Sequence, residues 1–127
     1  MQQPVRIMIA DARTAVREAL RLLIDREIAH CIIEQAAEAE TLLVQIGQAC
    51  PWLLLLDWHL PGMRATVLLR VVRNVCTGIR IIIMSERLED KPKALNAGAN
   101  GFVLKSDPPD ALIALLRALL GDTSAQG

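Results

Sequence analysis

Asp57 closes an unbroken run of four leucines at positions 53–56, and the turn-forming segment Trp-His-Leu-Pro-Gly follows it at once. A short apolar run that ends in turn residues predicts a buried strand. Asp11, Ser85 and Lys105 stand at the ends of three other apolar runs. Because ligands of open parallel sheets lie beyond the carboxyl ends of the strands, we expect these four side chains at one site. Two acids, a hydroxyl and a lysine in one place suit the handling of a phosphoryl group.

The elements that must position these residues alternate regularly along the chain. Apolar runs predict strands at residues 5–10, 31–36, 53–56, 80–84 and 101–104. Amphipathic periodicity predicts helices at about residues 14–29, 39–49 and 66–75, then a short fourth helix and a long fifth one. Asp90 is expected to cap helix four, with Pro92 in its first turn and Gly98 at its end. Helix five is expected to start at Asp107, with Pro108 at its first position.

Five such units predict an α/β fold in which a parallel sheet carries helices on both faces. The flavodoxin-like (βα)5 three-layer sandwich with strand order 2-1-3-4-5 fits best, and it places Asp11 beside Asp57 at the topological switch point. We expect one domain over residues 1–121, with residues 122–127 as a tail or the start of a linker.

Composition and charge exclude several classes of function. Acidic and basic residues balance at 14 each, so direct nucleic-acid contact by this segment is not expected. No apolar stretch reaches the roughly 20 residues that span a membrane, and no leader-like pattern opens the chain. These observations predict a cytoplasmic protein with no membrane partner. Cys31, Cys50 and Cys76 are widely spaced in apolar contexts, which predicts buried reduced thiols rather than a metal pair or a disulfide.

Four segments carry a resemblance that covers nearly the whole chain: I-M-I-A-D-A-R-T-A-V-R-E-A-L, L-L-L-L-D-W-H-L-P-G-M, I-I-I-M-S and A-G-A-N-G-F-V-L-K. In order, spacing and strand placement they resemble the receiver domain of bacterial two-component response regulators, in particular receivers joined to LuxR-type helix-turn-helix domains. The resemblance implies a phosphorelay signalling protein in transcription regulation. It implies a domain that accepts a phosphoryl group from a histidine kinase and switches a protein-interaction surface, and that is not itself an enzyme.

The resemblance also implies a role for each site residue. Asp57 is the expected phosphoacceptor, against the simpler interpretation that it caps the following turn. Lys105 matches the lysine that contacts the phosphoryl oxygens, and Ser85 matches the switch hydroxyl that reorients toward them. Phe102 occupies the aromatic switch position, although plain core packing explains a phenylalanine there nearly as well.

The expected metal site departs from the family pattern. By the resemblance, Mg²⁺ would be held by Asp11, Asp57 and the backbone carbonyl of His59, but Ala12 replaces the second acid of the usual pair. Mg²⁺ demands near-octahedral oxygen coordination, so we expect its binding to be weak or absent. Without metal, two carboxylates ~4 Å apart would repel by ~4 kcal/mol at an effective dielectric near 20. Arg13 either places its guanidinium where the metal would lie, or is solvated on the first turn of helix one.

A second departure lies after the fourth strand. Glu86 follows Ser85 where a small residue is usual, and its carboxylate is expected to repel an incoming phosphodonor. The stretch from Ser85 to Lys105 is about two residues shorter than in typical LuxR-type receivers, which predicts a truncated helix four. These oddities leave an alternative open: a pseudo-receiver that acts as a phosphorylation-independent protein-interaction module. An aspartyl-nucleophile hydrolase is disfavoured because His59 stands where such enzymes carry a second Asp.

Helix five has a wide apolar surface. Five leucines follow the helical template and are expected to cover the sheet: Leu112, Leu115, Leu116, Leu119 and Leu120. Ala111, Ile113, Ala114 and Ala118 continue the apolar character around the helix, which indicates either a contact surface or alanines that only raise helix propensity. We expect a homodimer face formed by helix one and helix five, with Ile113 and Ala114 exposed on it.

Overall fold

The computed structural model describes residues 3–126 and the side chains of residues 3–121. The strands are β1 (Val5–Ala10), β2 (Cys31–Ala36), β3 (Leu53–Asp57), β4 (Arg80–Ser85) and β5 (Gly101–Leu104). The helices are α1 (Thr14–Glu27), α2 (Ala39–Gln48), α3 (Ala65–Val75), α4 (Asp90–Asn96) and α5 (Pro109–Gln126). Each predicted strand and helix is present in the described part of the chain, so the alternating α/β pattern is confirmed.

The five strands form one parallel sheet in the order β2-β1-β3-β4-β5, which confirms the predicted topology. The connection from β1 leads outward to β2 on one side, while β3 pairs with the other side of β1. This arrangement makes the β1/β3 boundary the switch point of the sheet. Ala10 is in register with Leu56, so the next residue of each chain segment, Asp11 and Asp57, lies at the same edge.

The leucines of β3 explain how the sheet is held between two helical layers. Leu54 and Leu56 pack with residues of α2, α3 and α4, whereas Leu53 and Leu55 pack with residues of α1 and α5. All four are fully buried. Burial of one leucine side chain stabilises a fold by roughly 1.5–3 kcal/mol, so these four leucines hold the central strand in place. The backbone of Asp57, at the end of this strand, is therefore held in place as well.

Helix α5 starts two residues later than predicted. Pro109, and not Pro108, takes the first helical position, because a residue that precedes proline is disfavoured in the helical conformation. Asp107 lies outside the helix, where its carboxylate accepts a hydrogen bond of 3.0 Å from the backbone N–H of Leu104. The helix continues to Gln126. The side chains of residues 122–127 lie outside the described part, so the predicted tail or linker stays a prediction.

The prediction that Ile113 is exposed on α5 is wrong. Only 5% of Ile113 is exposed, and it packs with Leu112, Leu116 and Ile24 in the layer between the sheet and α1. Ala111, Ala114 and Ala118 are exposed. The apolar arc that faces inward is therefore wider than the five leucines, and Ile113 belongs to the core. No helix within residues 3–126 combines the length and apolar character that crossing a membrane would need.

The prediction of three reduced thiols is wrong for two of them, because Cys50 and Cys76 form a disulfide. Cys50 follows the end of α2 and Cys76 follows the end of α3. The two helices lie side by side on one face of the sheet, which brings the Cα atoms to 5.7 Å, within the range that a disulfide spans. A sequence separation of 26 could not reveal this neighbourhood. Cys31 is a free thiol, and burial raises its pKa.

Candidate functional site

Four strand ends bring the predicted polar residues together. Asp57 and Ser85 are the last residues of β3 and β4, while Asp11 and Lys105 immediately follow β1 and β5. Asp11 and Ser85 are fully buried, and Asp57 is nearly so. The buried strands fix the backbone at each of these positions, and the side chains need little further ordering.

Lys105 connects the two acids. Its Nζ donates a hydrogen bond of 2.6 Å to Oδ2 of Asp11 and lies 3.4 Å from Oδ2 of Asp57. The side chains are 15% exposed for Lys105, 1% for Asp11 and 11% for Asp57. Because a buried carboxylate is costly unless it is paired, the shared ammonium group is what makes two acids tolerable here. The repulsion expected between Asp11 and Asp57 is thus offset by Lys105.

Each acid is also held by the loop that follows it. Oδ1 of Asp11 accepts a 2.9 Å hydrogen bond from the backbone N–H of Arg13, and Oδ1 of Asp57 accepts one of 3.1 Å from the N–H of His59. Aspartate favours such bonds to the backbone two residues on. The result is that both carboxylates direct their Oδ2 atoms to Lys105.

Arg13 does not neutralise Asp57 directly. Its guanidinium pairs with the carboxylate of Glu86, and both side chains are about 60% exposed. The hydrogen bond from Arg13 lowers the pKa of Glu86, and the same bond raises the pKa of Arg13. The pair joins the loop after β1 to the loop after β4. Glu86 therefore carries its own counter-charge, and the repulsion of a phosphodonor expected from its carboxylate stays a prediction.

Ser85 and Asp90 form a buried pair beside the acids. The Ser85 hydroxyl donates a 2.7 Å hydrogen bond to Oδ2 of Asp90 and accepts one of 3.1 Å from the N–H of Arg87. Asp90 is the first residue of α4, after Glu89 at the cap position, so the prediction that Asp90 caps α4 is wrong. Its carboxylate turns inward because Ser85 and the ring of His59 offer it hydrogen bonds.

Sequence reasoning missed Asp90 as a site residue. Burial opposes its charged form and would raise its pKa, but the hydrogen bonds from Ser85 and His59 outweigh burial and lower the pKa. His59 Nε2 lies 3.2 Å from Oδ2 of Asp90. The signal that could have found this residue is the short loop after β4, since only four residues lie between Ser85 and Asp90 and leave room for one tight turn.

Phe102 lies on β5, opposite Ile83. It is half-buried and packs against the apolar layer that α2, α3 and α4 form on one face of the sheet. This location is compatible with both predicted roles, the aromatic switch and plain core packing. Trp58 is also half-buried, and it packs against the same layer directly after Asp57.

The oxygen donors for a divalent cation form an incomplete set. Asp11 and Asp57 each commit one oxygen to a loop N–H and direct the other to Lys105. Within the described residues, no group of three or more His, Cys, Asp or Glu side chains could hold a metal ion. Mg²⁺ keeps several waters and takes one or two carboxylates in many proteins. Asp11 and Asp57 are therefore the two carboxylates that this edge of the sheet offers to such an ion, and both also face Lys105.

Comparison with known proteins gives consistent matches over this region. The family described as "Response regulator receiver domain" matches residues 7–117. The nitrate/nitrite response regulator protein NarL of Escherichia coli K12 is 31% identical over 124 residues, which cover 95% of this chain and 57% of that protein. The transcriptional activator protein ExaE of Pseudomonas putida is 27% identical, over 90% of this chain and 54% of its own. The chain thus spans little more than half the length of these relatives.

Solved structures agree with the sequence matches. A two-component response regulator of the LuxR family from Aurantimonas sp. SI85-9A1 superposes with a TM-score of 0.84 and 30% identity, covering 94% of this chain and 87% of that one. A CheY-like receiver domain protein from Methanospirillum hungatei JF-1 also gives 0.84, with 28% identity, 98% of this chain and 100% of its own. Both similarities cover nearly the whole of this chain.

Proposed function

The chain belongs to the response regulator receiver domain family, and from this premise we propose that Asp57 accepts a phosphoryl group from a histidine kinase. Phosphorylation-dependent switching is the general function of receiver domains, and receiver domains interact with histidine kinases. One observation carries the assignment to Asp57: the ammonium group of the half-buried Lys105 lies 3.4 Å from its carboxylate, at the end of the central strand.

The proposed reaction is a transfer between two nucleophiles. Oδ2 of Asp57 forms a bond to phosphorus while the bond from phosphorus to the donor nitrogen breaks, and the leaving nitrogen takes a proton. Lys105 is placed to compensate the charge on the phosphoryl oxygens, since it already compensates Asp57. Asp11 keeps Lys105 in position through the 2.6 Å hydrogen bond. Ser85 ends the neighbouring strand, and its hydroxyl is the group that would contact the transferred phosphoryl.

Receiver domains typically bind Mg²⁺ at their acidic pocket. In this chain Asp11, Asp57 and the carbonyl of His59 would hold the ion. When bound, Mg²⁺ supplies positive charge to the phosphoryl oxygens. We propose that its binding is weak, because Ala12 contributes no carboxylate and Lys105 already occupies the two acids.

Intact mass after incubation with phosphoramidate and Mg²⁺ tests the assignment. The unmodified chain should gain one phosphoryl group, and Asp57→Asn should gain none. Asp110→Asn is the matched control, because it removes a carboxylate from an exposed position on α5, and it should be labelled as fully as the parent. No label on the parent chain would contradict the proposal and would favour a pseudo-receiver, an interaction module that works without phosphorylation.

We propose further that the α1/α5 face joins two copies of the chain. A groove of about 640 Å³ lies between α1, the end of β5 and the first turn of α5, with an apolar lining that includes Val16, Leu20 and Leu23. Ala114 is exposed on α5, so Ala114→Glu should weaken self-association in sedimentation while the melting temperature stays unchanged. A parent chain that remains monomeric at high micromolar concentration would exclude this face.

The output is proposed to be regulation of transcription, as the names of the relatives indicate for those proteins. The balanced charge of this chain favours an output through protein contacts over direct contact between this segment and nucleic acid.

A further inference from the structure

The hydroxyl of Ser85 forms hydrogen bonds with partners other than Asp11 and Asp57. Its proton is donated to Asp90, and its oxygen accepts the N–H of Arg87. Among the described residues it forms no hydrogen bond with Asp57 or with the side chain of Lys105. Ser85 is completely buried, so bulk solvent does not contact its hydroxyl. Any movement of the hydroxyl toward Asp57 therefore requires its separation from Asp90.

Asp90 is unusual for the first residue of a helix. Only 4% of it is exposed, whereas the neighbouring residues Arg87, Leu88 and Glu89 are all exposed. A buried carboxylate strongly favours any donor that it can reach, because losing one leaves part of its charge unpaired. Hydrogen bonds to a charged acceptor are also stronger than those between neutral groups. The Ser85 hydroxyl is thus held by a strong acceptor.

His59 links this pair to Asp57. Its ring lies 3.2 Å from Oδ2 of Asp90, while its backbone N–H donates to Oδ1 of Asp57. The loop that carries His59 therefore contacts both carboxylates, and a change at Asp57 reaches Asp90 through one residue.

From these contacts we infer that Asp90 is a positioning residue: it latches the Ser85 hydroxyl away from Asp57 in the unphosphorylated protein. The inference rests on the proposed function, since the latch matters only if Asp57 takes a phosphoryl group. Release exchanges the bond to Asp90 for a bond to a phosphoryl oxygen. The equilibrium between the latched and released hydroxyl then sets how strongly the site holds a phosphoryl group.

A serine hydrolase is the other chemistry that Ser, Asp and His could support, and the geometry excludes it. In such enzymes the histidine lies between the serine and the acid and takes the serine proton. Here Asp90 lies between Ser85 and His59, and both contact its Oδ2. The serine proton faces a carboxylate with a lowered pKa, which is a poor proton acceptor.

Binding of beryllofluoride, a phosphoryl mimic, measures the latch directly. The titration is done with Mg²⁺ in a Trp52→Phe background, so that Trp58 beside Asp57 is the single fluorophore. Asp90→Asn keeps an acceptor oxygen but removes the charge, and it should lower the apparent Kd about tenfold, equivalent to about 1.4 kcal/mol. Asp90→Ala removes the acceptor and should lower the Kd further. If Asp90→Ala fails to fold, the Kd of Asp90→Asn alone still tests the latch.

Two controls separate positioning from general destabilisation. Glu89→Gln removes a charge from the exposed neighbour of Asp90 and should leave the Kd within about twofold of the parent, as surface changes do. In a Ser85→Ala background, Asp90→Asn should no longer increase the affinity for beryllofluoride, because no hydroxyl remains to be released. A gain that persists without the hydroxyl would overturn the latch.

The remaining outcomes distinguish the latch from the function on which it rests. If phosphoramidate labels Asp57 but Asp90→Asn binds beryllofluoride no better than the parent, the latch is wrong and the phosphoacceptor assignment stands. If neither the parent nor the Asp90 variants take label or mimic, the proposed function fails, and the latch fails with it.

Discussion

Lys105→Met tests whether one lysine makes the acidic site stable. Methionine has a similar length and no charge, so the substitution removes the ammonium group and keeps most of the packing. It leaves Asp11, which is 1% exposed in its side chain, and Asp57, which is 11% exposed, without their shared cation. Among the described residues, each carboxylate then keeps the hydrogen bond from the backbone N–H of its own loop and no other.

The distances from Lys105 to the two acids determine how much stability its removal should cost. At an effective dielectric near 20, contacts of 2.6 Å and 3.4 Å correspond to gross attractions of about 6 and about 5 kcal/mol. Desolvation of the three groups offsets much of this attraction, and removing one partner of a buried ion pair costs ~3–5 kcal/mol in practice. We therefore expect Lys105→Met to lower the free energy of unfolding by about 3–5 kcal/mol at neutral pH.

Urea denaturation at pH 7 measures this loss, with Lys91→Met as the control because Lys91 is exposed on α4. Adding Asp57→Asn to the Lys105 variant should recover part of the loss, since one of two unpaired charges disappears. Asp57→Asn alone should leave stability nearly unchanged, because Lys105 keeps its closer partner Asp11. A loss below about 1 kcal/mol for Lys105→Met, with an unchanged m value, would refute the reasoning.

Three further predictions concern the metal, pH and the disulfide. Trp58 fluorescence should change little below several millimolar Mg²⁺, and Ala12→Asp should restore binding; tight binding by the unmodified chain would contradict the weak site. Asp90 has a lowered pKa in the folded state, so its contribution to stability is present above its unfolded pKa of about 3.9 and is lost as pH falls through the folded value. The stability advantage of the parent over Asp90→Asn should accordingly shrink in urea titrations below about pH 4, and a gap that stays constant would argue against this linkage. Reduction of the Cys50–Cys76 bridge should lower the free energy of unfolding by about 2–4 kcal/mol. The Cys76→Ser variant has no bridge, so adding a reductant should not change its stability.

The sequence predicted the fold well because its signals are local. Four consecutive leucines that end in a turn favour a short buried strand, and the alternation of strands with amphipathic helices restricts the topology to few choices. The start of α5 was placed two residues early at Asp107, because either of two successive prolines could take the first helical position and a residue before proline is disfavoured in the helical conformation.

The site was predictable in its members but not in its pairings. Asp11, Asp57 and Lys105 follow from strand ends that must meet at one edge. The pairing of cations with acids depends on how far each side chain reaches across the sheet. Lys105, and not Arg13, is the cation that contacts Asp11 and Asp57. The inward turn of Asp90 and the burial of Ile113 depend on neighbours that are far apart in sequence, so no local pattern encodes them.

The Cys50–Cys76 bridge has a topological consequence for the strand that carries Asp57. The bridge closes a covalent ring over a sequence separation of 26, and β3, the loop with His59 and all of α3 lie inside that ring. A single backbone cut within the ring leaves both fragments joined through the cysteines. One proteolytic nick within the ring therefore cannot separate the chain into two peptides while the bridge is intact, and reduction converts the same nick into such a separation.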